Sequence, residues 1–348
     1  MAVDLSKLVW KRKFDFEELK GKALAVDAYN IMFQFLSVIR QQDGMPLTDS
    51  HGNVTSHLSG LFYRNIELMS YGAKPIYVFD GIPSILKQKT IEARMNRRNE
   101  AYEAWKSAMV EGKIEEAKMH AQASTRITKE IVGSAKKILE YMGIPFINAP
   151  SEGEAQASYM CMKGLVYSVV SQDYDTILIG APRVLRNLTI SGKRKLPKKN
   201  IYINIDPEIL DFEKTLEALN LNHKQLIWIG ILLGTDFNEG IKGIGPKTAL
   251  KIVKNASSIS DVEAFVKSRY NTEFEIDPRE VEQMFLNPEV SEVEEKMIKE
   301  ITKAPNKEKI LSFMCDEHEF DRERISKYVD KLADINNKIK QEGIGKWI

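Results

Sequence analysis

Ile76-Tyr77-Val78-Phe79-Asp80-Gly81 is a short apolar run that ends in a carboxylate and a turn, and the design recurs along the chain. Ala23–Val26 leads into Asp27, Pro145–Ile147 is followed by Pro150-Ser151-Glu152, and Val166–Val170 is followed by Asp173 and Asp175. Helical patterns separate these runs, over roughly residues 28–40, 56–71, 84–110, 114–142 and 152–163. Strands alternating with helices predict an α/β fold with a central, mostly parallel sheet flanked by helices. In such sheets ligands bind beyond the carboxyl ends of the strands, and four acidic sites fall there on four candidate strands.

Further along, Leu185–Ile190 and Ile201–Ile205, joined by the basic loop Ser191-Gly192-Lys193-Arg194-Lys195, predict an antiparallel hairpin. Helices are expected from there to the end, including 222–233 and 246–254, before a polar stretch at 335–348. No internal repeat or low-complexity segment interrupts the pattern. The 348 residues, 43% apolar and 28% charged, are enough for one large α/β domain or two ordinary ones, with the profile of a soluble globular chain. No apolar run approaches the ~20 residues of a membrane span, and residues 1–14 lack a signal-peptide core. Cys161 and Cys315 stand far apart, which argues against Cys-ligated zinc and fits a reducing, intracellular setting.

A net charge of +1 hides strong local fields. Residues 87–137 carry twelve Lys/Arg against seven Glu, and residues 183–200 carry seven Lys/Arg and no acid. Polyanion binding follows such local fields and not the sum.

The candidate acids are Asp27, Asp80, Glu152, Glu154, Asp173, Asp175 and Asp236. Two unit charges ~4 Å apart repel by about 4 kcal/mol at an effective dielectric near 20. Carboxylates gathered at one sheet edge must therefore protonate or recruit cations. Oxygen donors without nearby His or Cys favour Mg²⁺ or Mn²⁺ over zinc, and a pair of such ions can hydrolyse a phosphodiester. Each acid also has a structural reading. Asp27 or Asp80 could be a helix cap or turn residue, Ser151 with Glu154 fits a capping box, and Asp173 with Asp175 could form a solvated Asx-turn. Their joint occurrence is what favours the metal site.

Four stretches carry a family likeness. Val78-Phe79-Asp80-Gly81-Ile82-Pro83, Ala149-Pro150-Ser151-Glu152-Gly153-Glu154-Ala155 and Ser171-Gln172-Asp173-Tyr174-Asp175 resemble motifs of the flap endonucleases, structure-specific 5′ nucleases. So does Leu233-Gly234-Thr235-Asp236-Phe237 leading into Gly243-Ile244-Gly245-Pro246-Lys247. The likeness runs from about Val3 to Ile348 in the family's order and is closest to the archaeal members. It implies a PIN-like 5′ nuclease fold with a helical arch and a helix-hairpin-helix. It further implies that Asp27, Asp80, Glu152 and Glu154 serve one metal ion of a pair. Asp173, Asp175 and Asp236 would serve the other, with Glu154 near both.

Lys87, Arg94 and Arg98 share one helical face just after Asp80. A solvated charged face is the bland reading. The resemblance instead makes Lys87 and Arg94 catalytic assistants that contact the scissile phosphate, and makes residues 99–133 an arch or cap for a free 5′ end. Arg97, Arg98, Arg126 and Lys129 are candidate strand contacts. Phe33 stands where the family usually has Tyr, and its ring can still stack on a base. Residues 240–248 contain glycines, Lys247 and a helix start, which could be only a tight turn between helices. Gly243, Gly245 and Lys247 also suit a sequence-blind grip on duplex phosphates. In the family this helix-hairpin-helix, here 222–256, often holds a monovalent cation such as K⁺. The ending Gln341-Glu342-Gly343-Ile344-Gly345-Lys346-Trp347-Ile348 resembles a peptide that binds the sliding clamp (PCNA). Gln341 would fill a polar pocket, with Ile344, Trp347 and Ile348 as the apolar plug.

An aspartyl-phosphate phosphatase would use Asp173 and Asp175 but leave the other acids and the glycine hairpin without roles. A non-catalytic clamp-bound adaptor would not need all seven acids. The resemblance implies a two-metal, Mg²⁺-dependent 5′ flap endonuclease with 5′→3′ exonuclease activity. It implies work in Okazaki-fragment maturation, RNA-primer removal and base excision repair. The chain is expected to be a monomer in the archaeal cytoplasm. Its expected parts are a nuclease region at 1–98, the arch, a second nuclease region at 134–260, a helical region at 261–335 and the tail at 336–348.

Overall fold

The computed structural model describes residues 3–189, 192–195, 202–301 and 303–343. Nine strands are present among them: β1 (Lys11–Lys13), β2 (Ala23–Asp27), β3 (Lys74–Phe79), β4 (Phe146–Asn148), β5 (Ser168–Val170), β6 (Arg183–Arg186), β7 (Gly192–Lys195), β8 (Tyr202–Ile205) and β9 (Glu208–Asp211). Seven of them form one sheet in the order β1-β9-β6-β5-β2-β3-β4. The block β6-β5-β2-β3-β4 is parallel throughout, and β9 and β1 extend it antiparallel at one edge.

The helices before residue 180 are α1 (Ala28–Val38), α2 (Ser56–Ser70), α3 (Gln88–Val110), α4 (Ile114–Ala123), α5 (Lys129–Tyr141), α6 (Gly153–Met162) and α7 (Asp175–Ile179). They supply the crossovers that parallel pairing requires. After β9 come α8 (Phe212–Leu219), α9 (His223–Leu233), α10 (Pro246–Lys254), α11 (Ile259–Tyr270), α12 (Pro278–Leu286), α13 (Glu295–Ile301), α14 (Lys307–Leu311) and α15 (Arg322–Gly343).

Alternation along the strands builds a core on each face of the sheet. Leu24, Val26, Tyr77 and Phe79 pack with residues of α1, α2 and α5. Ala25, Ile76, Val78 and Val169 pack on the other side with α6 and α9. From β2 the chain moves outward to β3 and β4, then returns to place β5 on the opposite side of β2. That reversal opens a crevice at the carboxyl ends of β2 and β5, where ligands of doubly wound sheets bind. Among the described residues no helix is long and apolar enough to cross a membrane.

Three expectations need correction. The hairpin exists, but its first strand is β7, inside the basic stretch expected as a loop, and it pairs with β8 as a separate two-stranded sheet. Leu185 instead belongs to β6 of the main sheet. The single pattern over 114–142 is two helices, because Thr128 turns extended and its side chain accepts from the Ile131 amide to start α5 afresh. β1 and β9 were not expected.

Candidate active site

The carboxyl ends of the central strands deliver the acids. Asp27 closes β2 and caps α1, its Oδ1 accepting the Asn30 amide at 3.0 Å while Oδ2 accepts from Ser171 Oγ at 3.3 Å. The cap reading is thus correct for Asp27 and does not remove it from the cluster. Asp80 follows β3 and accepts the Gly153 amide at 2.8 Å. A Cβ on Gly153 would lie 2.6 Å from Asp80 Oδ1, so a side chain there would push the Asp80 carboxylate out of its place at this amide. Glu152 occupies the N-cap position of α6 without a side-chain capping bond, and Glu154 sits in the first turn. The Ser151–Glu154 capping box is therefore not formed, and both glutamates are left for other work.

Asp173 lies in the turn after β5, where Asn30 Nδ2 donates to its Oδ2 at 3.0 Å. Asp175 opens α7, fully buried, and its Oδ1 has no hydrogen-bond partner. Asp236 arrives from the loop after α9, and Thr90 of α3 donates to its backbone carbonyl at 3.0 Å.

Burial is the main cause of the altered acidity, with mutual repulsion second. It raises Asp27 to about 8, with Asp80 and Asp173 adding to the effect. Asp80 is raised to about 6 by burial, which the Gly153 amide partly opposes. Asp175 is raised to about 7 by burial, then by Asp236 and Asp173. Glu154 stands well above the usual carboxylate range through burial and through Asp173, Asp27 and Asp175. Asp173 is raised by burial and by Asp236. These couplings join all seven predicted acids into one electrostatic unit.

Two cations enter it. Lys87, at the end of the 3₁₀ turn Ile85–Lys87, pairs with Glu152 and stands 3.5 Å from Asp236 Oδ2. Arg94, two turns on in α3, pairs with the other oxygen of Asp236. Burial opposes the charge on Lys87, yet Glu152, Asp236 and Glu154 together raise its pKa above the ordinary lysine value. Among the described residues no three His, Cys, Asp or Glu side chains form a ready-made ion cage. Seven carboxylates nevertheless face two cations, all donors are oxygens, and a buried oxygen of Asp175 is unsatisfied. That donor set fits hard divalent cations.

The other candidates lie further out. Arg98 rests over the ring of half-exposed Phe33, 5.7 Å from guanidinium carbon to centroid. Arg97 and Lys129 are exposed, and Arg126 donates to Asn99. Arg97, Arg126 and Lys129 touch none of the acids in the described contacts. Gly243 has φ +89°, the left-handed conformation that favours glycine, and Gly245 precedes Pro246 at the first position of α10. Lys247 is exposed beside Lys251 and Lys254, while Ala249, Ile252 and Val253 are buried, so α10 turns a basic face outward. The clamp-tail residues Ile344, Trp347 and Ile348 lie outside the described residues, as does the side chain of Gln341.

Sequence reasoning missed Asn30 and Ser171. Asn30 bridges β2 and β5: besides holding Asp173, its Oδ1 accepts the Gln172 amide at 3.1 Å and Gln34 Nε2 at 3.0 Å. Ser171 donates to Asp27 and is 3.5 Å from Glu154 Oε1. The available signal was position, since Asn30 follows Asp27 by one helical turn.

Comparison with known proteins decides the family. Residues 3–101 match the XPG N-terminal domain and residues 143–236 the XPG I-region. Flap endonuclease 1 of Pyrococcus furiosus is 46% identical over 348 residues, covering 100% of this chain and 99% of that one. The chain belongs to the flap endonuclease family. The protein of the same name from Staphylothermus marinus is 48% identical over 337 residues, 96% of this chain and 94% of its own. Among solved structures, flap endonuclease-1 from Methanococcus jannaschii superposes with a TM-score of 0.74 at 39% identity, over 97% of this chain and 99% of that one. The catalytic core of Rad2 in complex with DNA substrate gives 0.66 at 26% identity, over 92% and 96%. Membership brings the family's activity, metal-dependent hydrolysis of phosphodiester bonds at branched DNA, and its place in replication and repair.

Proposed function

We propose that the chain cuts 5′ flaps endonucleolytically, with 5′→3′ exonuclease action at nicks and gaps, using two Mg²⁺ ions for which Mn²⁺ can substitute. The observation that carries this reading is the convergence of Asp27, Asp80, Glu152, Glu154, Asp173, Asp175 and Asp236 at one sheet edge, with Lys87 and Arg94 paired into it. Asp27, Asp80, Glu152 and Glu154 would hold one ion and Asp173, Asp175 and Asp236 the other, with Glu154 serving both. When bound, such ions supply an activated water and neutralise charge on the leaving oxygen.

The chain's own residues do the rest. Lys87 and Arg94 lie beside the acids and can transfer their charge from Asp236 and Glu152 to a phosphate as its charge develops. Asn30 and Ser171 keep Asp173 and Asp27 oriented by hydrogen bonds. α3 and α4, with the rest of residues 99–133, form the arch, whose Arg97, Arg98, Arg126 and Lys129 meet the flap. Phe33 stacks on an unpaired base once Arg98 releases its ring. The α9–α10 hairpin, with Gly243, Gly245 and Lys247, grips duplex phosphates, aided by K⁺. The monomer meets the sliding clamp PCNA through its tail and acts on Okazaki fragments, RNA primers and base-excision intermediates.

End-labelled cleavage of a double-flap substrate, beside a plain hairpin and a single strand, tests this reading. Mg²⁺-dependent cutting concentrated at the flap junction is expected. Equal cutting of all three substrates, or phosphomonoester release alone, would overturn it.

A further inference from the structure

The hydrogen bonds of Asn30 do not end at Gln34. Asn30 Nδ2 donates to Asp173 Oδ2 at 3.0 Å, Gln34 Nε2 donates to Asn30 Oδ1 at 3.0 Å, and Thr189 Oγ1 donates to Gln34 Oε1 at 2.9 Å. Asn30 and Gln34 stand four residues apart on α1, so their side chains share a face. Thr189 comes from the other side of the sequence. Just after β6, Asn187 takes φ +60°, a left-handed turn that asparagine tolerates, and Thr189 follows it with 2% of its surface exposed. The resulting chain has one direction. The Gln172 amide can only donate, and the Asp173 carboxylate, as a metal ligand, can only accept. Asn30 meets both, its Oδ1 accepting the Gln172 amide at 3.1 Å, so its side chain has a single orientation. With that carbonyl towards Gln34, only the NH₂ end of Gln34 can approach it. The Gln34 carbonyl is thereby turned to Thr189, whose hydroxyl must donate. Rotating the Asn30 amide would set its carbonyl against the carboxylate, and rotating that of Gln34 would set carbonyl against carbonyl. Donors aligned on one anion also polarise one another.

We propose that Gln34 and Thr189 are positioning residues for the reaction, fixing through Asn30 the orientation in which the Asp173 carboxylate meets its metal ion. The proposal rests on the reading of Asp173 as a metal ligand. Among the described hydrogen bonds neither Gln34 nor Thr189 contacts an acid, so their influence passes through Asn30. Asp173 lies in a turn, and a ligand in a turn depends on its hydrogen-bond partners for its direction. Thr189 thus ties the chain beyond β6 to a metal ligand beyond β5 by way of α1.

Three variants test the assignment. Thr189→Val removes the donor and keeps the shape, Thr189→Ser keeps the donor, and Gln34→Met removes both ends of the middle link. Mn²⁺ affinity without DNA is measured by paramagnetic resonance, and kcat and KM are measured on a double flap in Mg²⁺. Thr189→Val and Gln34→Met should each weaken Mn²⁺ binding and lower kcat by roughly 2–10-fold, the worth of one hydrogen bond, with KM for the flap unchanged. Thr189→Ser should restore both quantities. In an Asn30→Ala background, itself lower by about 10–100-fold, Thr189→Val should cost nothing further. A Thr189→Val loss that persists in full in that background, a Ser variant no better than Val, or a Val variant with wild-type Mn²⁺ binding and kcat would each overturn the proposal. Mn²⁺ binding that survives Asp173→Asn unaltered would instead remove the reading on which it rests.

Discussion

Lys87 Nζ stands 3.5 Å from Asp236 Oδ2 while also pairing with Glu152, so one ammonium ties the loop after α9 to the start of α6. In the metal-free chain this charge, with that of Arg94, partly offsets the repulsion among the acids. Removing it should leave the cluster more negative. Lys87→Met is expected to bind Mn²⁺ several-fold more tightly in the absence of DNA, read by paramagnetic resonance, and to cleave flaps about 10²–10³-fold more slowly. Unchanged or weaker Mn²⁺ binding would show that the ammonium does not compete with the metal.

Asp175 is held near pH 7 by burial and by Asp236 and Asp173. A carboxyl whose folded pKa exceeds its unfolded value contributes stability that is present below pH 3.8 and lost as the pH rises through about 7. In chelator at pH 8, Asp175→Asn should therefore be more stable than wild type, by roughly 1–3 kcal/mol. The gap should narrow towards pH 5 and also when Mg²⁺ is restored, and cleavage should be abolished in every condition. Denaturant titrations at the two pH values measure this, and a destabilised variant at pH 8 would contradict it.

His57, in the first turn of α2, is wholly buried, its Nε2 2.7 Å from Ser134 Oγ and its Nδ1 without a partner. Burial, helped by His318, lowers its pKa to about 3. The unfolded chain binds this proton first, so stability should fall as the pH drops from about 6.5 towards 3. His57→Gln should lower stability at pH 7 but flatten the slope between pH 6.5 and 4.5. Thermal unfolding midpoints across that window decide it, and an unaltered slope would mean that other groups carry the acid sensitivity.

Lys247 is exposed on the outward basic face of α10. Lys247→Ala should weaken binding to duplexes of any sequence alike and reduce the salt slope of the binding constant by about 1. Gly243→Ala acts differently, because its φ of +89° disfavours a side chain. Loss of about 1–2 kcal/mol of stability is expected there. Fluorescence anisotropy at several salt concentrations, together with thermal unfolding, separates the two effects.

Six of the seven acids were legible because they end or follow apolar runs of strand length, a pattern in which local sequence and global topology agree, whereas Asp236 follows helix α9 and was legible only through the family motif. Their convergence was also legible, since parallel sheets send all their carboxyl ends to one side. The edge was not. β1 is Lys11-Arg12-Lys13, exposed at every position, and carries no apolar alternation to announce a strand. β9 is four residues long, and its pairing with β6 is set by contacts across the sheet. The break between α4 and α5 was hidden because Ser124 to Thr128 contains no glycine or proline. Asn30 and Ser171 escaped notice because neutral polar residues have many possible roles in sequence, and only the juxtaposition of β2 and β5 gives them theirs. The ion pairs of Lys87 and Arg94 with Asp236 join residues more than 140 positions apart, a relation no local pattern encodes.

The reversal of strand order around β2 has a temporal meaning. Asp27 and Asp80 are synthesised early, but the crevice gains its second wall only when β5 docks, and Asp236 arrives from beyond the whole sheet. A nascent chain halted before residue 236 therefore carries most of the acids without the one that engages Lys87 and Arg94. The pairing of both cations with Asp236 is thus completed only after every strand of the main sheet has been made.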